Sequence, residues 1–127
     1  MFEKIEMMRM ARAMGSHASQ RQITVARNIA NADTPGFKAQ DLQPFADSYR
    51  AASEPLRATD ARHLQVADWT ASSRPATTET GVSPNGNSVS LEEEMLKAAE
   101  VKRSYDLSLG IYRSALDLVR TSIGRRG

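Results

Sequence analysis

The sequence predicts an all-α, elongated fold. Two long amphipathic helices, one at each end of the chain, pair as a coiled-coil-like hairpin around a mostly irregular middle segment. Three observations carry this expectation. Leu91, Met95, Ala98, Tyr105, Leu109, Tyr112, Leu116, Val119 and Ile123 follow in alternating steps of four and three, broken only by Lys102. That is the a/d spacing of a helix made to lie along another helix. A shorter series of the same kind, Met7, Ala11, Met14, Ala18, Val25 and Ile29, occupies the other end, with polar Gln22 in its gap. All five prolines (Pro35, Pro44, Pro55, Pro75 and Pro84) fall between the two series. The chain therefore divides into residues 1–33, 34–87 and 88–127, the first and last forming one discontinuous helical domain.

The N-terminal helix is expected from about Phe2 to Asn31. Ile5, Met8 and Ile23 widen its apolar stripe, and Arg9, Arg12, Arg21 and Arg27 sit largely off it. Its methionines make the face adaptable. Gly15 is a weak point, costing roughly 1 kcal/mol against alanine in a helix interior. Pro35 pushes Thr34 out of helical geometry and ends the helix. Thr34-Pro35-Gly36-Phe37 then reads as a type II turn, with Pro second and Gly third, where positive φ is required. The amides of Asn28 and Asn31 are expected on the freed carbonyls of the last turn.

In the middle, Asp41 to Ser53 is predicted as a short helix with Pro44 in its first turn and Leu42, Phe45 and Tyr49 on one face. Leu64, Val66 and Trp69 suit a short strand or a loop anchor, and Thr70 to Gly86 reads as a flexible linker. Pro84-Asn85-Gly86-Asn87 is strong turn chemistry.

The C-terminal helix opens on a capping box, Ser90 with Glu93. A hydrophobic staple fails, because Glu94 occupies the position against which Val89 would pack. Glu92, Glu93 and Glu94 complement the positive helix end and read as a solvated first turn. Gly124 suits the position just past the helix, and Arg125 and Arg126 complement its negative end. From Ser90 to Ile123 this helix is roughly 50 Å long. Val101, Leu107, Ile111 and Leu118 lie beside or opposite the main series, with small Ser104, Ser108, Ala115 and Ser122 among them. A helix apolar over more than one face needs more than one neighbour, which points to packing between molecules as well as within one.

Composition narrows the function. The 127 residues carry 17 basic and 15 acidic side chains, a net charge of only +2, and 127 residues suit one domain. Arg103, Arg113 and Arg120 alternate with Glu100, Asp106 and Asp117, so no basic face for nucleic acid emerges. There is no cysteine, hence no disulfide and no thiolate metal site. His17 and His63 are far apart, without a second ligand at metal spacing. No phosphate-cradling glycine loop or nucleophile elbow occurs. The expectation is a chain without catalytic residues, metal or cofactor. Glu3, Lys4, Glu6, Arg9 and Arg12 break up any secretory leader, and no stretch reaches the length of a membrane span. The chain is expected to stay in the cytosol or to leave by a route that removes no leader.

The run Asn28-Ile29-Ala30-Asn31-Ala32-Asp33-Thr34-Pro35-Gly36-Phe37-Lys38 closely resembles the N-terminal signature of the bacterial flagellar axial proteins of rod and hook, N-I-A-N-x-x-T-P-G-[YF]-[KR]. Phe37 stands where Tyr is commoner. Hook and distal rod proteins are much longer, so the resemblance is to the proximal rod branch. Gly86 to Met95, Tyr105 and Thr59-Asp60-Ala61-Arg62-His63-Leu64 are similar to segments of that branch. The resemblance implies a structural subunit of the flagellar basal-body rod. It implies helices that pack into the inner tube of an axial drive shaft enclosing the export channel. It further implies passage through the flagellar type III apparatus without leader cleavage, and a periplasmic position on the membrane-embedded ring. The partners it implies are other rod subunits, further copies of itself, and ring and export-gate junction proteins. It implies no nucleic acid and no direct membrane insertion. A cytosolic helical adaptor or chaperone-like binding module would account for the two apolar series, but not for the asparagine-rich helix exit and its turn.

Overall fold

A computed structural model describes residues 2–53, 73–76 and 81–124. Five elements follow in order: α1 (Phe2–Ala30), β1 (Gln40–Leu42), α2 (Phe45–Ser53), β2 (Ser73–Pro75) and α3 (Leu91–Gly124). The fold is all-α, with one small antiparallel ribbon in which Gln40 pairs with Pro75, Asp41 with Arg74 and Leu42 with Ser73. With 29 and 34 residues, α1 and α3 are about 44 and 51 Å long. They run antiparallel. Lys4 Nζ donates to Ser122 Oγ at 2.9 Å near one end, and Asn28 Nδ2 donates to Glu94 Oε1 at 3.2 Å near the other.

The contact between them is built from small side chains. Ala11, Ala18, Val25 and Asn28 are buried on α1, and Glu94, Val101, Ser108 and Ala115 are buried on α3. The α3 set recurs every seventh residue, one row of a heptad. Gly15 belongs to this contact, because a Cβ there would stand 3.2 Å from Ser108 Oγ. The weak helix former thus stands where the partner helix comes close to its backbone.

This row is not the apolar series that the spacing singled out on α3. Leu91, Met95, Ala98, Tyr105, Leu109 and Ile123 are exposed, and Tyr112, Leu116 and Val119 are half-buried. The hairpin row lies three residues further on, a rotation of about 60° around the helix. On α1 the series holds for Ala11, Ala18 and Val25, which are buried, and Met14, which is half-buried; Met7 and Ile29 are exposed. The inward row continues through Arg21 and Asn28 instead of Gln22 and Ile29. Close backbone approach, which small residues allow, decides which faces meet inside the molecule.

Three local readings change. Asp41 and Leu42 are in β1, so α2 begins only at Phe45, and Pro44 precedes it with its carbonyl accepting from Ser48 N at 3.1 Å. Phe45 and Tyr49 do share a face, with ring centroids 5.3 Å apart, but Leu42 is buried in the strand. The expected linker contains β2, and its end is tied into the turn around Gly86. Finally, α3 continues through Gly124. The type II turn stands as read: Phe37 N donates to Thr34 O at 3.2 Å and Gly36 has φ +76°. Leu64, Val66, Trp69 and the run 59–64 lie outside the described residues.

Candidate assembly site

A helix that stops leaves its last carbonyls without partners. At the end of α1, Asn31 Nδ2 takes Arg27 O at 2.8 Å, as its position suggested. The next carbonyls are served from far along the chain. Asn87 Nδ2 lies 2.8 Å from Asn31 O, 2.9 Å from Ala32 O and 2.7 Å from Thr34 O. Its Oδ1 accepts Val89 N at 2.8 Å, just before α3. This buried side chain therefore closes the exit of α1 and the entry to α3 together.

The backbones of the two signature segments interlock around it. Gly36 N donates to Asn85 O at 2.9 Å and Ser88 N to Phe37 O at 3.0 Å. Ala39 N donates to Ser88 Oγ at 2.8 Å, and Lys38 Nζ to Gly86 O at 2.9 Å. Gly86 (φ +83°) sits against Gly36; a Cβ on it would lie 3.4 Å from Gly36 Cα. Both glycines adopt the left-handed conformation that side-chain-bearing residues rarely take, so the backbone rather than lack of space calls for glycine at each.

Beneath this hub runs a chain of polar groups. Asn28 is fully buried and treats Gln40 as a strand would: Nδ2 donates to Gln40 O at 2.7 Å, and Gln40 N donates to Oδ1 at 3.1 Å. It does not serve the last turn of its own helix, because β1 passes alongside. Its second donor contact is Glu94, which is buried and not part of a solvated first turn. Lys97 Nζ reaches Glu94 Oε1 at 3.4 Å and Asp41 Oδ2 at 3.8 Å. Arg21 forks onto both Asp41 oxygens at 3.0 and 3.4 Å and reaches Glu100 at 3.1 Å. Burial works against the charge on Asp41. The Arg21 hydrogen bond, the Leu42 N–H and the charges of Arg21 and Lys97 outweigh it, so the carboxyl is held below its ordinary range. The network ties α1, β1 and α3 into one body. His17, buried on α1, adds a contact to the chain leading into α2: its Nε2 is 2.8 Å from Gln43 O and its ring meets Phe45 edge-on at 5.7 Å.

The family model described as "Flagella basal body rod protein" matches residues 12–38, the part of α1 and its exit that builds the hub. The chain is 36% identical over 118 residues to the flagellar basal body rod protein FlgB of Agrobacterium fabrum, covering 88% of each chain. It is 33% identical over 93 residues to FlgB of Bacillus subtilis, 71% of each. It is 31% identical over 106 residues to FlgB of Escherichia coli, 72% of this chain and 73% of that one. The chain belongs to the FlgB family of flagellar basal body rod proteins. It is a structural subunit of the rod of the basal body and assembles with other flagellar components; the adaptor reading is not favoured.

The structure brings the FlgB signature residues together unevenly. Asn28, Asn31, Thr34, Gly36 and Phe37 enter the hub through the bonds above. Ile29, Ala30 and Pro35 are exposed around it. Arg21, Asp41, Asn87, Glu94 and Lys97 were not singled out as a site in the sequence. One signal for them was present: Glu94 stands where a staple calls for an apolar side chain. For Asn87, 53 to 56 residues from the carbonyls it binds, turn chemistry alone gave no hint of a distant partner. Among the described residues no group of three or more His, Cys, Asp or Glu could hold a metal ion. No described helix is long and apolar enough to cross a membrane.

Proposed function

We propose that residues 1–33 and 88–127 act as one discontinuous helical unit of the proximal rod, with 34–87 as its insert. In this reading the hub and the polar chain set the hairpin, and the apolar series left outside it make the contacts between subunits. The supporting observation is the outer surface. Fourteen large apolar side chains are exposed among the described residues, and thirteen of them lie on α1 or α3, including Met7, Ile29, Leu91, Met95, Tyr105, Leu109 and Ile123. Large apolar side chains exposed in such number along two helices fit surfaces made for protein–protein contact. A helical tube needs two different faces on each subunit, and α1 and α3 carry one such surface each.

The finer reading follows. The terminal helices line the axial drive shaft, transmit torque through packed contacts and enclose the export channel. The partners are further copies of this chain, other rod subunits, and ring and export-gate junction proteins. The chain reaches the periplasm through the flagellar type III apparatus without a cleaved leader. It uses no cofactor and catalyses no reaction. The test is Leu109→Asp, with Leu116→Asp beside it. Leu109 is exposed on the hairpin, so the isolated subunit should keep its helicity, while rod assembly and swimming should be lost because a carboxylate cannot be buried without a partner. Normal motility of the Leu109→Asp strain would refute the assignment.

A further inference from the structure

Of the four asparagines in the chain, at 28, 31, 85 and 87, only Asn85 is followed by glycine. An Asn-Gly pair carries an intrinsic reaction. The backbone nitrogen of the glycine attacks the side-chain carbonyl carbon of the asparagine, the amide nitrogen leaves as ammonia together with the glycine N–H proton, and a five-membered succinimide forms. Water then opens the ring. Cleavage between the ring nitrogen and the side-chain carbonyl gives aspartate; cleavage between the ring nitrogen and the main-chain carbonyl gives isoaspartate, whose chain runs on through the side chain. Glycine is the most permissive follower because no side chain hinders the attack.

In this fold the attacking nitrogen and the carbonyl under attack are both engaged. Gly86 N, the nucleophile, donates to Ser83 O at 2.8 Å. Asn85 Oδ1, on the carbon to be attacked, accepts Asn87 N at 3.1 Å. The flanking carbonyls are held too, Asn85 O by Gly36 N at 2.9 Å and Gly86 O by Lys38 Nζ at 2.9 Å. Asn85 itself is exposed, so solvent reaches it and only the bonding restrains it. We propose that Asn85 is a spontaneous deamidation site that the closed hub holds off, and that its conversion to isoaspartate disables the hub. Reaction requires the turn to open, so its rate follows the open population of the hub. The isoaspartate product lengthens the main chain between Asn85 and Gly86. That moves the carbonyl that binds Gly36 and the glycine packed against it, and the two signature loops no longer close. A subunit left open long enough loses the ability to lock.

The experiment ages the full chain at mildly alkaline pH in buffer and in denaturant. Peptide mass spectrometry follows the exchange of amide for acid at Asn85, with fragmentation that separates aspartate from isoaspartate. The native chain should react at least about tenfold more slowly than the denatured one, equivalent to about 1.4 kcal/mol of opening. A smaller ratio overturns the protection. Asn87→Ala, which removes the cap that closes the hub, should raise the native rate toward the denatured one; an unchanged rate overturns the link to the hub. The isoaspartate fraction, separated from unreacted protein, should show faster hydrogen exchange at the Gly36 and Ser88 amides. Equal exchange in the two fractions would refute the claim that the product cannot lock.

Discussion

Replacing Asn28 by aspartate keeps its shape and reverses one polarity. The nitrogen that donates to Gln40 O at 2.7 Å and Glu94 Oε1 at 3.2 Å becomes an oxygen. Two hydrogen bonds turn into two contacts between acceptors, one of them between like charges. The site is fully buried, so water cannot relieve either. Leaving buried acceptors unmet costs about 1–3 kcal/mol each. Lys97, 3.4 Å from Glu94, offsets part of the added charge. A loss of about 3–5 kcal/mol follows, within the range for a broken buried network. That approaches the whole stability of a small domain. Helicity should be followed by circular dichroism through a urea titration, in a stabilising osmolyte so that the variant stays on scale. A second change, Glu94→Gln, offers an amide donor to the new carboxylate and should restore about 1–2 kcal/mol. An Asn28→Asp subunit within about 0.5 kcal/mol of the parent, or strictly additive changes in the double variant, would refute the buried Asn28–Glu94 contact.

Three further outcomes are expected. Gly36→Val should lose about 1–3 kcal/mol through backbone strain alone, since Gly36 has φ +76° and nothing lies within 4 Å of an added Cβ; unchanged urea stability would contradict the turn. Ala115→Leu should weaken the isolated hairpin by about 1–3 kcal/mol because Ala115 has no exposed surface, and a subunit with unaltered melting would show that α3 pairs through another row. Asp41 makes the molecule acid-sensitive. Its folded carboxyl is held below the ordinary value of 3.8, so its contribution is complete above that pH and lost as pH falls through the depressed folded value. Asp41→Asn should lower stability at neutral pH and flatten this acid limb; urea titrations across pH that show the same slope for both proteins would exclude the role.

Much of the molecule was legible from spacing and turn chemistry. Step-four, step-three periodicity is a property of consecutive residues, so both long helices and the inward positions Ala11, Ala18 and Val25 could be read directly. So could the turn at Thr34-Pro35-Gly36-Phe37, because proline and glycine restrict or free the backbone at their own positions. The family signature was legible as a string, but not for what its residues do. Asn31 bonds its own helix, as local reasoning expects; Asn28 does not, because β1 lies beside it and supplies a better partner.

Which faces meet was decided only in three dimensions. Hydrophobic spacing on α3 marks the bulkiest stripe, whereas the hairpin closes on Val101, Ser108 and Ala115, where small side chains let the backbones approach. Local sequence records neither the partner's shape nor the distance between axes. Glu94 and Asp41 look like surface carboxylates until Asn28, Lys97 and Arg21 are brought against them. Asn87 looks like a turn residue until it meets three carbonyls from the far side of the chain. Periodicity and turns are local and were determined by the sequence alone. The pairing of charges, the cap shared by two helices and the choice of the buried row depend on residues far apart in the chain, and only the tertiary structure decided them.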